Sequence, residues 1–306
     1  MDFYRDRTNA ADKGTQKSGR GGQNDISCAG EAGKRALDRI AWEPSRTTIS
    51  ACVGSSMHRN QDKTISLVSE DKAHRFFGVM DGISGGRKVH THPELGYNGS
   101  RYLFEQITGG LGQLDEIGEE NLTAMLMRIS DEMVALKGKG EMNASTGTFG
   151  WVHENRLVLF HKGDSRAHFI SNSPGCFSSE LVTHDDVDRE GGIYSAFGSK
   201  WRAISKVKKE LSQNSMVLIC TDGFGEVIED FGRIKEAGED IASVLRIWTK
   251  RLTETKRLHD DASFVLYNHG QAEHIEDNFF ARDRFGEEES SLRAAFARFL
   301  SKNRQE

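Results

Sequence analysis

Residues 77–82 have the sequence Phe-Gly-Val-Met-Asp-Gly, an apolar run that ends at an aspartate followed at once by glycine. Two other segments repeat this pattern, His161-Lys162-Gly163-Asp164-Ser165 and Leu218-Ile219-Cys220-Thr221-Asp222-Gly223. Each apolar run has the composition of a β-strand. An aspartate at a strand end is held rigidly at the point where the sheet stops, so the pattern predicts carboxylates that project from several strand ends.

Two further acidic positions lie beside predicted strands. Asp62 stands just before Lys63–Ser69, and the pair Asp260-Asp261 stands just before Ser263–Tyr267. Carboxylates gathered in one place repel each other and are tolerated only if they are protonated or neutralised by a cation. Oxygen ligands suit hard ions such as Mg²⁺ and Mn²⁺. Asp-Gly is also common turn chemistry, but three such strand ends with a matching Asp-Asp favour a metal site.

The order of the predicted elements indicates the fold class. Strands are predicted over Thr47–Val53, Lys63–Ser69, Arg75–Met80, Thr148–His153, Arg156–His161, Arg166–Ile170, Leu181–Thr183, Ala203–Val207, Met216–Cys220 and Ser263–Tyr267. Helical spacing of apolar residues occurs over 94–108, 119–137, 224–230, 233–252 and 287–302. The strands come in runs and do not alternate with helices, which favours antiparallel sheets with helices on the outside.

Composition limits the class of protein. The 306 residues carry a formal charge of -5, so no large basic field is available and we expect no nucleic-acid partner. The longest apolar runs are far shorter than the roughly 20 residues of a membrane span, so we expect no membrane association. None of the four cysteines forms a CxxC pair, which fits a reduced, cytoplasmic protein.

The chain divides into three predicted parts. Residues 8–35 are rich in Gly, Ser, Lys, Asn and Gln, and they cannot bury enough apolar surface to offset their chain entropy. We therefore expect a flexible N-terminal tail over 1–40 and one catalytic domain over 41–270. A C-terminal extension over 271–306 contains the amphipathic helix predicted at 287–302.

Four blocks together resemble the metal-dependent serine/threonine phosphatases of the 2C type. Residues 75–86, Arg-Phe-Phe-Gly-Val-Met-Asp-Gly-Ile-Ser-Gly-Gly, are similar to the family's FFGVxDGxGG, and residues 163–166 match its GDSR. Residues 217–226 are similar to LxxxSDGLWD, and residues 260–266 to D(N/D)xTxxxV. Residues 57–62 fall where RxxNED is expected, and residues 191–198 resemble the block that ends in RALG. The blocks have the family's order and spacing.

The resemblance implies an α+β fold, a four-layer αββα sandwich of two antiparallel sheets flanked by helices. It also implies a binuclear Mn²⁺ or Mg²⁺ centre with a third, weaker metal position. The implied metal ligands are Asp81 as the bridging carboxylate, the Gly82 carbonyl and Gln61 at the second metal, Asp222 and Asp260 at the first, and Asp164 at the third. Asp62 is the implied supporting acid, so that the implied catalytic residues are Asp62, Asp81 and Asp222.

The implied activity is hydrolysis of phosphoserine and phosphothreonine in proteins. A hydroxide activated at the binuclear centre attacks phosphorus, and no covalent enzyme intermediate forms. The implied partners are a phosphorylated protein substrate and a Ser/Thr kinase, and the protein is expected to be a monomer.

The chain departs from the family pattern at several positions. Gln61 replaces the expected glutamate and brings no charge, so the second metal should bind more weakly. Met57 stands where the family often has a phosphate-binding arginine, and Arg59, two residues on, is a candidate substitute. Ser84 interrupts the Gly-Gly that normally follows.

These departures leave two alternatives open. One is a catalytically weak or inactive pseudophosphatase that acts as a phosphoprotein-binding scaffold. The other is a phosphatase of small phosphorylated metabolites, because the metal chemistry does not itself demand a protein substrate.

Overall fold

The computed structural model describes residues 42–44, 48–54, 60–84, 92–173, 176–189, 192–201, 203–213, 215–224, 260–269 and 278–280. The strands in this part of the chain are β1 (Trp42–Pro44), β2 (Thr48–Val53), β3 (Lys63–Ser69), β4 (His74–Gly82), β5 (Ser145–His153), β6 (Arg156–Lys162), β7 (Arg166–Ser173), β8 (Cys176–Leu181), β9 (Ser205–Glu210), β10 (Met216–Cys220), β11 (Ala262–Asn268) and β12 (Asn278–Phe280). The helices are α1 (Pro93–Leu111) and α2 (Glu119–Gly138).

The strands form two six-stranded sheets. The first sheet has the order β1-β3-β4-β5-β6-β9, and the second has the order β12-β2-β11-β10-β7-β8. All neighbouring strands pair antiparallel except β12, which runs parallel to β2. The second sheet therefore reaches residues 278–280, past the end of the domain predicted over 41–270.

Alternation along the central strands explains why the two sheets stack. On β4, Phe76 and Met80 belong to a core with the helices, whereas Phe77 and Val79 face the second sheet. Successive side chains of a strand point to opposite faces, so β4 is buried on both sides. Phe77 stacks on Tyr267 of β11 with ring centroids 4.8 Å apart, which joins the two sheets.

Both described helices cover the outer face of the first sheet. Pro93 occupies the first turn of α1, where a missing N–H costs nothing, and Glu119 and Glu120 place negative charge at the start of α2. The predicted apolar stripe of α2 is confirmed as its buried face, formed by Leu122, Met125, Leu126, Ile129 and Met133.

The α+β sandwich of two sheets is confirmed, with one helical layer in the described residues. The helices predicted over 233–252 and 287–302 lie outside them, as do residues 225–230 and the tail over 1–40. Within the described residues, no helix is long and apolar enough to cross a membrane.

The predicted strand bounds agree best with the structure for strands that lie inside a sheet. Met216–Cys220 and Lys63–Ser69 have the predicted bounds. By contrast, β8 lies before the predicted Leu181–Thr183, and β9 extends to Glu210, beyond the predicted Ala203–Val207. Strands β1 and β12 were not predicted. All four are edge strands, and an edge strand has one neighbour, so its apolar pattern is weaker.

His168 is a buried polar group without a hydrogen-bond partner in the described residues. It lies on β7 between Leu181 and Leu218 of the two adjacent strands, and neither ring nitrogen is paired. Burial, with a smaller effect of the Arg166 charge, lowers the pKa of His168 from 6.5 to about 4. The folded protein therefore keeps this side chain neutral at pH values at which the unfolded chain binds a proton.

We predict that His168→Leu stabilises the protein, and does so more strongly at lower pH. The advantage should grow as pH falls from about 7 towards about 4, because folding of the parent then excludes a proton, and it should reach on the order of 3 kcal/mol. Urea unfolding at several pH values measures the difference. The same change at exposed His92, which makes no side-chain cap hydrogen bond, is the control. A stability difference that does not vary with pH would contradict the prediction.

Candidate metal centre

Antiparallel pairing brings the predicted acidic residues to the ends of neighbouring strands. In the first sheet Lys63 pairs with Met80, so the residues before β3 lie beside the end of β4. In the second sheet Cys220 pairs with both Phe264 and Arg166, so the end of β10 lies beside the starts of β11 and β7. The strand ends that carry Asp62, Asp81, Asp164, Asp222 and Asp260 are thereby gathered in two groups, one on each sheet.

Hydrogen bonds across the two sheets join these groups. The Thr221 hydroxyl, at the end of β10, donates to Asp62 Oδ2 at 2.9 Å and accepts the Ser263 N–H at 2.9 Å. The Gln61 N–H, just before β3, donates to Asp261 Oδ2 at 2.6 Å. All of these groups are buried, so water does not compete for these hydrogen bonds. The bonds fix the strand ends of one sheet against those of the other.

Each of the other carboxylates is held by its own local structure. Asp81 is the last residue but one of β4, and the Ser145 hydroxyl donates to its carbonyl oxygen at 2.8 Å. One carboxylate oxygen of Asp222 accepts the Gly223 N–H, and one of Asp260 accepts the Asp261 N–H, each at 2.8 Å. These bonds orient both side chains.

The Asp164 turn between β6 and β7 is fixed by a segment distant in sequence. Gly163 adopts φ 111°, a conformation that favours glycine. The Asp186 N–H donates to the Gly163 carbonyl at 2.7 Å, and the Gly163 N–H donates to Asp186 Oδ2 at 3.2 Å. Arg166 forms an ion pair with Asp185 at 2.8 Å. The residues 184–186 therefore set the position of Asp164.

The acidic side chains act on each other electrostatically. Burial raises the pKa of Asp81 well above its usual range, and the negative charges of Asp62, Asp222, Asp260 and Asp164 raise it further. Burial together with Asp222 raises the pKa of Asp164 to about 7, and burial together with Asp260 raises the pKa of Asp222 to about 6. Their negative charge is unfavourable in the protein alone, and a bound cation would relieve this cost.

Burial and neighbouring negative charges also disfavour the ionised form of Asp62. Burial, followed by the charges of Asp261 and Asp260, raises the pKa of Asp62 well above its usual range. Asp62 Oδ1 and Asp164 Oδ1 are both buried and have no hydrogen-bond partner among the described residues. Unpaired buried oxygens of this kind require a proton, a water or an ion.

The donor set fits a hard divalent cation at the first expected position. Asp81, Asp222 and Asp260 supply three carboxylates whose charges interact, and Asp164 adds an unpaired oxygen beside them. In the described part of the chain, no three His, Cys, Asp or Glu side chains already form a metal-binding group. Binding an ion therefore requires these carboxylates to draw together.

The second expected position has a different character. Gln61 is 2% exposed, and its Oε1 atom accepts a hydrogen bond from the Ser84 hydroxyl at 2.6 Å. The Gly82 carbonyl faces Gly96 in the first turn of α1, where an added Cβ would lie 2.9 Å from the carbonyl oxygen. Apart from Asp81, the donors expected at this position are neutral.

The structure also shows residues to which the sequence assigned no role. Thr221 links Asp62 to β11, and Asp261, which follows the expected ligand Asp260, holds the Gln61 backbone. A threonine directly before a strand-end aspartate is a signal that could have identified Thr221. Gly96 has no such signal, because its role depends on where α1 packs. Arg59 lies outside the described residues.

Comparisons with known proteins agree with the fold of this sandwich. The serine/threonine phosphatase of S. agalactiae superposes with a TM-score of 0.58 at 12% identity, over 72% of this chain and 98% of that one. Stp1 from Staphylococcus aureus gives 0.56 at 15%, over 72% and 94% of the two chains. The catalytic domain of PstP, solved with two manganese ions, gives 0.56 at 18%, over 75% and 97%.

The chain thus has the fold of bacterial serine/threonine phosphatases, which is the fold that the motif resemblance implies. No protein-family model matches the sequence, and no curated protein does.

We predict that Thr221→Val weakens Mn²⁺ binding about tenfold, because residues that orient metal ligands typically contribute at this level. It should also destabilise the fold by about 1–2 kcal/mol, since the Ser263 N–H loses its acceptor. Mn²⁺ titration and urea unfolding measure the two effects. Thr123→Val on α2, which removes a hydroxyl bonded to the Glu119 carbonyl, is the matched control. Lost stability with unchanged Mn²⁺ affinity would restrict Thr221 to a structural role.

Proposed function

We propose that the protein is a metal-dependent phosphatase of phosphoserine and phosphothreonine in proteins. The observation that carries the proposal is the set of mutually repelling carboxylates of Asp81, Asp164, Asp222 and Asp260 at one place in the fold. The fold itself is that of named serine/threonine phosphatases, which supports the reaction class. The proposed catalytic domain, predicted over 41–270, also includes the strand at 278–280. The expected partners are a phosphoprotein and a Ser/Thr kinase.

The proposed cofactor is Mn²⁺ or Mg²⁺. Asp81, Asp222 and Asp260 would hold the first ion, and Asp164 a third, weaker one. The second position of the implied binuclear centre consists of Asp81, the Gly82 carbonyl and Gln61. A bound divalent ion supplies Lewis-acid chemistry there, since it neutralises phosphate charge and makes water a stronger nucleophile.

The chain's own residues then position water, and the cysteine beside the site is a poor nucleophile. Thr221 fixes one oxygen of Asp62, and Asp62 Oδ1 remains to accept a hydrogen bond from a water of the site. Cys220, next to the site, is not a suitable nucleophile because it is fully buried, and burial raises the pKa of its thiol. We therefore propose direct attack of water on phosphorus, with Asp62 as a positioning residue.

A protein substrate is supported by the exposed apolar side chains. The large apolar side chains exposed in the described residues are Met127, Leu181, Val187, Tyr194 and Trp201. All except Met127 lie in 181–201, the segment that also positions Asp164. The Tyr194 hydroxyl donates to Asp186, whose other oxygen accepts the Gly163 N–H. A peptide that contacts Tyr194 and Trp201, whose rings lie 6.2 Å apart, would lie close to Asp186 and so to the turn of Asp164.

We predict that the purified protein releases phosphate from a phosphothreonine peptide with Mn²⁺ or Mg²⁺ but not with EDTA. Asp222→Asn should reduce the rate at least about a hundredfold, because it removes one charged metal ligand. The control is Asp115→Asn, the same change at an exposed position in the loop between α1 and α2. A folded protein that binds the peptide but releases no phosphate at millimolar Mn²⁺ would favour the scaffold alternative.

We predict that Trp201→Ala raises KM for the phosphopeptide about tenfold, the usual effect of losing an aromatic contact. It should change kcat/KM for para-nitrophenyl phosphate less than about twofold, since the small ester does not reach this surface. Steady-state kinetics with both substrates test the difference, with Met127→Ala on α2 as the control. An equal loss with both substrates would mean that Trp201 supports the site, and no loss with either would favour a small metabolite as substrate.

A further inference from the structure

The two neutral oxygens expected at the second metal position lie against helix α1. A Cβ added at Gly96 would collide with Gln61 Oε1 and would lie 2.9 Å from the Gly82 carbonyl oxygen. A Cβ at Gly82 would in turn collide with the Gly96 carbonyl. Such contacts are possible only because both residues are glycine. The backbone at the start of α1 therefore lies close against both oxygens.

Ser84 engages the only metal-binding atom of Gln61. A carboxamide offers one oxygen to a hard cation, because its nitrogen is a donor and not a ligand. That oxygen accepts the Ser84 hydroxyl at 2.6 Å, and both side chains are buried. The Ser84 carbonyl accepts the His92 N–H at 3.0 Å, directly before α1, so Ser84 is held in place by the same helix start.

The two expected metal positions also differ in the number of their charged ligands. Asp81, Asp222 and Asp260 bring three carboxylates to the first position, whereas the second shares Asp81 and adds only neutral oxygens. The affinity of an oxygen site for a divalent ion depends strongly on its number of charged ligands. A second ion would also have to share the Gln61 oxygen with the Ser84 hydroxyl and fit beside the start of α1.

We infer that the protein holds one divalent ion tightly and that Gln61, Ser84 and Gly96 close the second position at ordinary metal concentrations. The second ion should bind about a hundredfold or more weakly than the first. This inference rests on the proposed metal-dependent function and specifies its metal complement: the second position fills only at high Mn²⁺.

Mn²⁺ binding to the metal-free full chain tests the inference. Electron paramagnetic resonance of unbound Mn²⁺ gives the number of bound ions, and calorimetry gives their affinities. We expect one tight ion, a second only near millimolar Mn²⁺, and loss of the tight ion in Asp260→Asn. Two ions whose affinities agree within about tenfold would overturn the inference, because the charge difference would then have no effect.

Two variants test the proposed closure itself. Gln61→Glu should strengthen binding of the second ion at least about tenfold, because it adds a charged ligand. Ser84→Ala should strengthen it by a smaller factor, because it only releases the oxygen of Gln61, and it adds no buried charge that would disturb folding. Gln113→Glu is the control, since it adds the same charge 17 residues along from Gly96, about 25 Å away at the far end of α1. No change of the second affinity in either folded variant would overturn the closure.

Phosphate release in the same samples separates the two proposals. One tight ion without phosphate release would overturn the phosphatase and support the inference. Two ions of equal affinity together with phosphate release would support the phosphatase and overturn the inference. No Mn²⁺ binding up to the millimolar range would overturn both the phosphatase and the inference.

Discussion

The hydrogen bond from Thr221 to Asp62 joins the two sheets at the strand ends that carry the acidic side chains. Repulsion between carboxylates would otherwise push these strand ends apart. The bond from the Gln61 backbone to Asp261 acts in the same place, so each sheet contributes both a donor and an acceptor. The sandwich can therefore hold several carboxylates near each other in the absence of a cation. The protein supplies positions for the charges, and the ion would supply the attraction between them.

Local patterns predicted the inner strands and the acidic residues. Strand β10 is buried along its whole length and was predicted with its observed bounds. Asp81 and Asp222 were predicted as ligands because each lies at the end of such an apolar run. The four edge strands were displaced or missed, since their stability comes from backbone pairing with one neighbour. Gly96 and Ser84 were beyond sequence reasoning for another reason, because their contacts with Gln61 depend on how α1 packs on β4.

The same physics explains how the fold is shared at 12–18% identity. Burial on both faces of β4 and β5 can be satisfied by many combinations of apolar residues, so the layers tolerate extensive substitution. The acidic positions make more specific demands, because the buried carboxylates of Asp62 and Asp261 each accept a hydrogen bond from the other sheet. Gln61 is one position at which this chain differs in charge from the pattern it resembles, and its side chain is hydrogen-bonded to Ser84.

The edge strand β9 has a consequence for contacts between molecules. Its outer backbone groups face away from β6 and could pair with a strand of another chain. Lys206, Lys208 and Lys209 crowd this edge with positive charge, and the first two are drawn to Glu119 at the start of α2. Two copies brought together edge to edge would have to bury lysines of the same sign against each other. These lysines weaken the apolar pattern of β9. They also disfavour the pairing of β9 with a second sheet, and so the growth of a fibre.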